Sequence, residues 1–399
     1  MNEEIGDEFH YQPVPITHYA PNQAAIERAA DLLLAADHPL FYVGQGVHYA
    51  QAWAPLRELA ELIEAPVTTS LGGKSAFPEN HPLSLGSGGR AYPKPVHHFL
   101  QKADLIFGIG CSFSTTSFGL KMPKGKRFLQ ATLDPADLNK DVPVEHGLVG
   151  DARLTLEALV TTVRRRLNGG NGATLPSAAQ PAQIRGRTAA IAQEIATLKA
   201  EWLEAWKPKL TSDETPLSPY RVLWDLLHTV DVANTIITHD AGSPRDQLSP
   251  FWESITPLSY IGWGKTTQLG YGLGLAMGAK LAQPDKLCIN VWGDAAIGFT
   301  GMDFETAVRE RIPILSILLN NFSMAIEIPI MPVSTEKYRA TDISGHYADM
   351  AKAFGGYGER VTAPEQIIPA IRRGIEQTQA GMPALLEFIT GKETAISTF

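Results

Sequence analysis

Two cysteines in 399 residues are too few for a disulfide framework, and both Cys111 and Cys288 sit in apolar runs. That placement predicts buried thiols in a reducing compartment, the cytoplasm. Long apolar runs are missing as well. Nowhere do roughly 18 consecutive apolar residues occur, the length a membrane-spanning helix needs, and the acidic start Met1 to Glu8 has no apolar core of a signal peptide. Positive charge is scarce: 34 Lys and Arg against 42 Asp and Glu leave a net charge of -8. This excludes the electrostatic footprint of a nucleic-acid binder. The single basic run, Arg164-Arg165-Arg166, reads as the solvated end of a helix. The eleven histidines show no metal-ligand spacing.

What is present is the alternation of an α/β protein. Helical patterns over Ala24–Ala36 and Trp53–Ile63 alternate with apolar strands at Pro39–Val43, Pro66–Thr69, Leu105–Ile109 and Phe128–Leu133. Two of the strands run into Gly44-Gln45-Gly46 and Gly108-Ile109-Gly110, but neither completes the Gly-x-Gly-x-x-Gly dinucleotide fingerprint. A Gly-, Asn- and Ser-rich stretch over Asn168–Ser177 is an exposed connector. Beyond it lie a long helix from Ile184 to Trp206 and a second α/β unit. The expected architecture is therefore two doubly wound parallel-sheet domains. A tail covers residues 1–19, a Rossmann-like central domain 20–167, a linker and connecting helix 168–212, and a second domain 213–399.

The most specific chemistry lies in that second unit. Leu287–Trp292 reads as a buried strand ending in Gly293-Asp294, and Ile314–Leu319 as a second strand ending in Asn320-Asn321. Helical spacing of Phe304, Ala307 and Val308 between them gives a strand-helix-strand unit, whose right-handed crossover makes the strands parallel. A carboxylate and an amide thus emerge at one sheet edge, where ligands of open α/β sheets bind. Hard oxygen donors of this kind suit Mg²⁺ with phosphate oxygens and water completing its shell. Earlier in the chain, Thr235–Thr238 is a strand running into Ala241-Gly242-Ser243, small residues that fit either a diphosphate cradle of backbone N–H groups or a plain turn.

Gly293-Asp294-Ala295 followed by Asn320-Asn321 resembles the thiamine-diphosphate signature of the acetolactate synthase and pyruvate oxidase group, with Ala295 where Gly is commonest. The resemblance implies that Asp294, the Asn321 side chain and the Ser323 backbone carbonyl bind magnesium. It also implies cofactor contacts from Ala241, Gly242, Ser243, Gln268, Leu269, Gly293, Ala295, Ala296, Met324 and Ala325. Leu269, at the end of the Gly-loop that starts at Trp263, corresponds to the apolar residue that bends the cofactor. The central domain of this family holds flavin adenine dinucleotide (FAD) or ADP in some members and nothing in others; a purely structural domain is the preferred reading here.

The family also uses a further domain that binds the pyrimidine ring and supplies an activating glutamate. Only about twenty residues precede the central domain, which is short of a domain, so no residue is assigned that role. Glu305, in the crossover helix, and Glu327, after the metal loop, are expected to be solvent-facing or structural. Three readings remain open. In one the chain is part of a split enzyme acting on 2-oxo acids or acyl-CoA thioesters (acetolactate synthase-like, or 2-hydroxyacyl-CoA lyase or oxalyl-CoA decarboxylase-like), with a separate pyrimidine-binding subunit, a homo-oligomeric assembly, or both. The others are a truncated, non-catalytic module that binds thiamine diphosphate or a nucleotide, and a nucleotide-binding structural partner whose magnesium motif is vestigial. The apolar segment Met324–Pro332 fits a substrate pocket, a lid or a subunit contact.

Overall fold

The computed structural model describes residues 12–169, 186–262 and 268–399. Residues 263–267 of the Gly-loop and most of the expected linker lie outside these. Two six-stranded parallel sheets organise the chain. The first comprises β1 (Pro39–Val43), β2 (Val67–Ser70), β3 (Ser84–Gly88), β4 (Leu105–Ile109), β5 (Arg127–Thr132) and β6 (His146–Val149), in the spatial order 3-2-1-4-5-6. Strands β1 and β4 are buried along their whole length, as strands covered on both faces by helices must be. One face is covered by α1 (Gln23–Leu34), α3 (Trp53–Ile63) and α5 (Ala152–Leu167), which contribute to a single apolar cluster, and the other by α4 (Lys94–Lys102). A short helix, α2 (Gly46–Tyr49), follows β1. Local capping starts the helices where the sequence calls for it. Asn22 Oδ1 accepts from Ala25 N, and Asp151 Oδ1 from Arg153 N and Leu154 N. The basic run ends α5 and is paired: Arg164 with Glu58, Arg165 and Arg166 with Glu27.

The second sheet contains β7 (Thr235–His239), β8 (Tyr260–Ile261), β9 (Leu287–Gly293), β10 (Leu315–Asn320), β11 (Tyr357–Val361) and β12 (Ala384–Ile389), in the order 11-12-10-9-7-8. Its helices are α7 (Pro219–Thr229), α8 (Ser243–Leu248), α9 (Tyr271–Ala282), α10 (Asp294–Thr300), α11 (Asp303–Arg309), α12 (Pro332–Tyr338), α13 (Tyr347–Ala353) and α14 (Ile367–Gln379). The doubly wound α/β expectation is met in both halves. Four strands escaped the sequence reading. Ser84-Leu85-Gly86-Ser87-Gly88 has too little apolar content, His146–Val149 and Tyr260–Ile261 are short, and β12 inserts between β10 and β11 from far along the chain.

Between the sheets, α6 (Thr188–Leu210) is ion-paired to α4 through Lys94–Glu201 and Lys102–Glu194, while Trp202 and Trp206 pack on Tyr220 and Phe251 of the second half. The C-terminal segment returns to the first half, where Ser397 O accepts from Tyr92 N at 2.9 Å. A buried ion pair lies at the same boundary. Lys74 Nζ is 2.6 Å from both carboxylate oxygens of Glu79, Glu79 Oε2 accepts from Ser254 N at 2.7 Å, and the ammonium lies 5.2 Å from the centre of the Tyr260 ring. Both side chains are almost wholly buried. The cysteines differ from expectation in one respect. Cys288 is buried in β9, whereas Cys111 lies past the end of β4 and is half-buried, because the chain turns there to line a cavity.

Asp240 fixes the loop that precedes α9. Its Oδ1 accepts from Gly270 N at 2.5 Å and its Oδ2 from Gly272 N at 3.1 Å. A Cβ on Gly272 would sit 2.7 Å from that carboxylate, and Gly270 has φ +91°, so both positions require glycine. Burial raises the Asp240 carboxyl from 3.8 to about 6 even though backbone N–H groups pull it down.

Two outcomes are expected. Because folded Asp240 holds its proton up to about pH 6 and the unfolded chain releases it near pH 4, the contribution of this group to stability is greatest below pH ~4. That contribution falls through the window between the two values and levels off above it. Asp240→Asn removes this share of the fall, on the order of 3 kcal/mol, in urea titrations at a series of pH values. Glu79→Gln strands the buried Lys74 ammonium and destabilises by about 3–5 kcal/mol, whereas Lys74→Met with Glu79→Leu recovers most of the loss, both measured by urea unfolding.

Candidate functional site

A cavity of about 330 Å³ opens at the C-terminal edge of the second sheet. Of the residues expected to contact a cofactor, Ala241, Gly242, Ser243, Leu269, Gly293, Asp294, Ala295, Ala296, Asn321, Ser323, Met324 and Ala325 all line it. Gln268 does not; its side chain is exposed. The convergence follows from parallel pairing. Leu319 is registered with Gly293 and His239 with Val291, so three strands release their chains at the same edge.

Asp294 is the hub. Its side chain is almost wholly buried, Oδ1 accepts from Ala295 N at 2.8 Å, and Oδ2 accepts from both Asn321 N (3.1 Å) and Ser323 N (3.0 Å). Burial raises its carboxyl above the ordinary range, while these N–H donors oppose the shift. Between the two donors Phe322 adopts φ +55°, the left-handed turn that lets two alternate N–H groups face one oxygen. Ser323 pairs with Asp342 as an antiparallel bridge through its neighbours: Met324 N donates to Thr341 O and Ile343 N to Phe322 O. The Ser323 N–H therefore points to the Asp294 side. Among the described residues no protein group satisfies the buried Asn321 Oδ1 or Ser323 Oγ.

The first asparagine of the pair has a different role from the second. Asn320 Nδ2 donates to Glu387 Oε1 at 2.8 Å, and its Oδ1 accepts from Phe322 N at 3.0 Å. Glu387, fully buried on β12, also receives Arg360 at 2.8 and 3.0 Å and Ala348 N at 3.0 Å. Although burial raises its carboxyl, these donors hold it below the ordinary range on balance. The loop Asn320–Ser323 is thus held from behind by Asn320 and Glu387, and from the cavity side by Asp294. Sequence reasoning missed Glu387 and Arg360, which lie far along the chain from the loop and carry no motif.

The residues fit a magnesium-diphosphate group. One ionisable carboxylate, an unsatisfied amide oxygen and an open turn at Gly242 (φ +85°, with nothing nearer than 4.0 Å to a Cβ) face a single space. Among the described residues no cluster of three or more His, Cys, Asp or Glu could hold a metal by side chains alone. Glu305 is where sequence expected it, on the surface, with Arg309 3.1 Å away. Glu327, at the end of the turn Ala325–Glu327, stands half-buried on the cavity wall.

A second cavity, of about 830 Å³, lies at the β1/β4 edge of the first sheet, where FAD or ADP was considered. Among the described residues no Lys or Arg lines it. Gly44 N, Gly46 N and Gly110 N already donate to Ile109, Gly110 and Ala131 carbonyls, and a Cβ on Gly44 would lie 2.2 Å from Gly110 O. These glycines serve close chain packing, and their amides are not available to a nucleotide diphosphate. No helix of the described residues is long and apolar enough to cross a membrane.

Comparison with known proteins agrees with this geometry. Residues 26–159 match the thiamine pyrophosphate enzyme central domain, and residues 240–388 match the thiamine pyrophosphate enzyme C-terminal TPP-binding domain. The chain is 27% identical to a probable acetolactate synthase large subunit of Methanococcus aeolicus, over 97% of this chain and 63% of that protein. It is 29% identical to the acetolactate synthase large subunit of Corynebacterium glutamicum, over 97% of this chain and 59% of the relative. The chain thus spans about three fifths of the length of the curated relatives it matches. Two domain matches in the same order as the two sheets, with relatives aligned over nearly the whole chain, establish that it belongs to the thiamine-diphosphate-dependent enzyme family, in its acetolactate synthase-like group.

Proposed function

We propose that the chain binds thiamine diphosphate through Mg²⁺ in the 330 Å³ cavity, as the diphosphate-binding part of an acetolactate synthase-like enzyme that breaks or forms carbon–carbon bonds of 2-oxo acids. The observation that carries this reading is the buried Asp294 carboxylate tied to the Asn321–Ser323 loop, with Asn321 Oδ1 left unsatisfied beside it. In this reading Asp294, the Asn321 side-chain oxygen and the Ser323 carbonyl would hold the cation, oxygen donors of the type Mg²⁺ prefers. The Ala241-Gly242-Ser243 turn would offer N–H groups to the diphosphate. Leu269 would support the ring system from the apolar wall. Bound thiamine diphosphate supplies a carbon nucleophile and an electron sink for cleavage next to a carbonyl.

The residues present bind and orient; none of them is assigned the glutamate that activates the pyrimidine, a group that belongs to the pyrimidine-binding domain of this family and would act within an oligomeric assembly. The buried Cys288 thiol supports a cytoplasmic setting.

Asp294→Ala is expected to lower Mg²⁺-dependent thiamine diphosphate affinity by on the order of a hundredfold in titration calorimetry; unchanged affinity refutes the assigned site. Glu387→Gln, which leaves the cavity lining intact, weakens the same binding by about tenfold or more through the loosened loop. Affinity for Mg²⁺ falls on acidification, because burial raises the Asp294 carboxyl and a protonated carboxyl does not ligate. With a glutamate-bearing pyrimidine-binding subunit added, hydrogen exchange at cofactor C2 accelerates over that of free cofactor. Exchange no faster with any such subunit rejects the split enzyme.

A further inference from the structure

We propose that Arg90, from the first domain, is a specificity-determining residue of the cofactor cavity, and that it selects a substrate bearing a carboxylate beside its reacting carbonyl. The inference rests on the cofactor reading above and adds to it the group that recognises the substrate.

Arg90 follows β3, and its backbone is constrained on both sides. A Cβ on Gly89 would meet Leu71 Cδ1 at 2.7 Å, and Tyr92 is bound to the C-terminal segment through Ser397 O (2.9 Å) and Phe399 O (3.1 Å). From that fixed base the side chain reaches the wall of the 330 Å³ cavity together with Phe118, so the first domain contributes directly to the site. Arg245 lines the same cavity but is already committed. It is 2% exposed, forks onto Asp246 at 2.8 and 3.2 Å, and stacks on Phe118 at 4.9 Å. Arg90, by contrast, is 45% exposed, and its Nη1 is 3.8 Å from Asp246 Oδ2, beyond hydrogen-bond distance of a carboxylate that Arg245 already holds.

The remaining wall gives this cation its value. Leu269, Met324, Ile326 and Ile330 are apolar, and the charged groups besides the two arginines are Asp294, occupied with the metal loop, and Glu327. In such surroundings a guanidinium binds a carboxylate by paired, charge-assisted hydrogen bonds of high geometric selectivity. An apolar cavity with one cation held only by a long ion pair to Asp246, its hydrogen-bonding fork still open, suits a small 2-oxo acid better than a neutral aldehyde or ketone.

The test uses the chain loaded with thiamine diphosphate and Mg²⁺. Pyruvate and pyruvamide, in which a neutral amide replaces the carboxylate, serve as probes in saturation-transfer NMR titrations. Arg90→Gln is expected to weaken pyruvate by about tenfold or more while leaving pyruvamide and thiamine diphosphate affinities unchanged; Arg90→Lys recovers part of the loss. Equal weakening of both probes, unchanged pyruvate binding, or no pyruvate binding to the loaded wild type overturns the proposal. Loss of thiamine diphosphate affinity in Arg90→Gln also overturns it, by moving Arg90 to the diphosphate. Failure of the wild type to take up cofactor is a separate result, which rejects the parent reading and this inference with it.

Discussion

The second domain is organised by one carboxylate, at the end of one strand, that accepts from the end of the next. Asp294 Oδ2 receives the N–H groups of Asn321 and Ser323, so the segments after β9 and β10 are tied at a single oxygen. An uncompensated buried carboxylate costs far more than the fold can supply. Backbone donors therefore have to converge there, and the left-handed Phe322 is the conformation that brings them. The same requirement explains the layer behind the loop. Asn320 can accept from Phe322 N only while Glu387 holds its amide, and Glu387 can be buried only because Arg360 and Ala348 N compensate it.

A comparable logic operates at the boundary between the sheets. Lys74 and Glu79 are buried as a pair and reach Ser254 and Tyr260 of the second domain. Such a pair contributes little net stability compared with apolar residues, but it is costly to break. It therefore fixes how the domains meet. Helix α6 and the returning C-terminal segment act at the same boundary, and the position of Arg90 relative to the cavity depends on all three.

The parts of this structure legible in the sequence are those whose chemistry is local. Gly293-Asp294 and Asn320-Asn321 each follow an apolar strand, and the crossover rule alone brings them to one edge. Twelve of the thirteen residues expected around the cofactor do line the cavity, and the exception, Gln268, borders the residues outside the described structure. What was not legible depends on long-range closure. Glu387, Arg360 and Asp240 look like unremarkable charges until the fold brings them to backbone N–H groups or to one another. The place of Glu327 on the cavity wall was equally out of reach, because a residue after a loop reads only as solvent-facing or structural. Strand β3 was missed because Ser84–Gly88 lacks the branched apolar residues that mark most strands; its neighbours and its place at a sheet edge define it instead.

The two cavities show why glycine-rich strand ends are weak evidence of a ligand. At Gly44, Gly46 and Gly110 the amides are already spent on neighbouring carbonyls, and the missing side chains make room for the chain itself. At Gly242 nothing crowds the absent side chain, and the surrounding polar groups include an unsatisfied amide oxygen and an ionisable carboxylate. The difference lies in whether hydrogen-bonding capacity remains after the fold has met its own needs. By that criterion the first domain's glycines are accounted for by packing, while the edge of the second sheet retains capacity that the protein alone does not use.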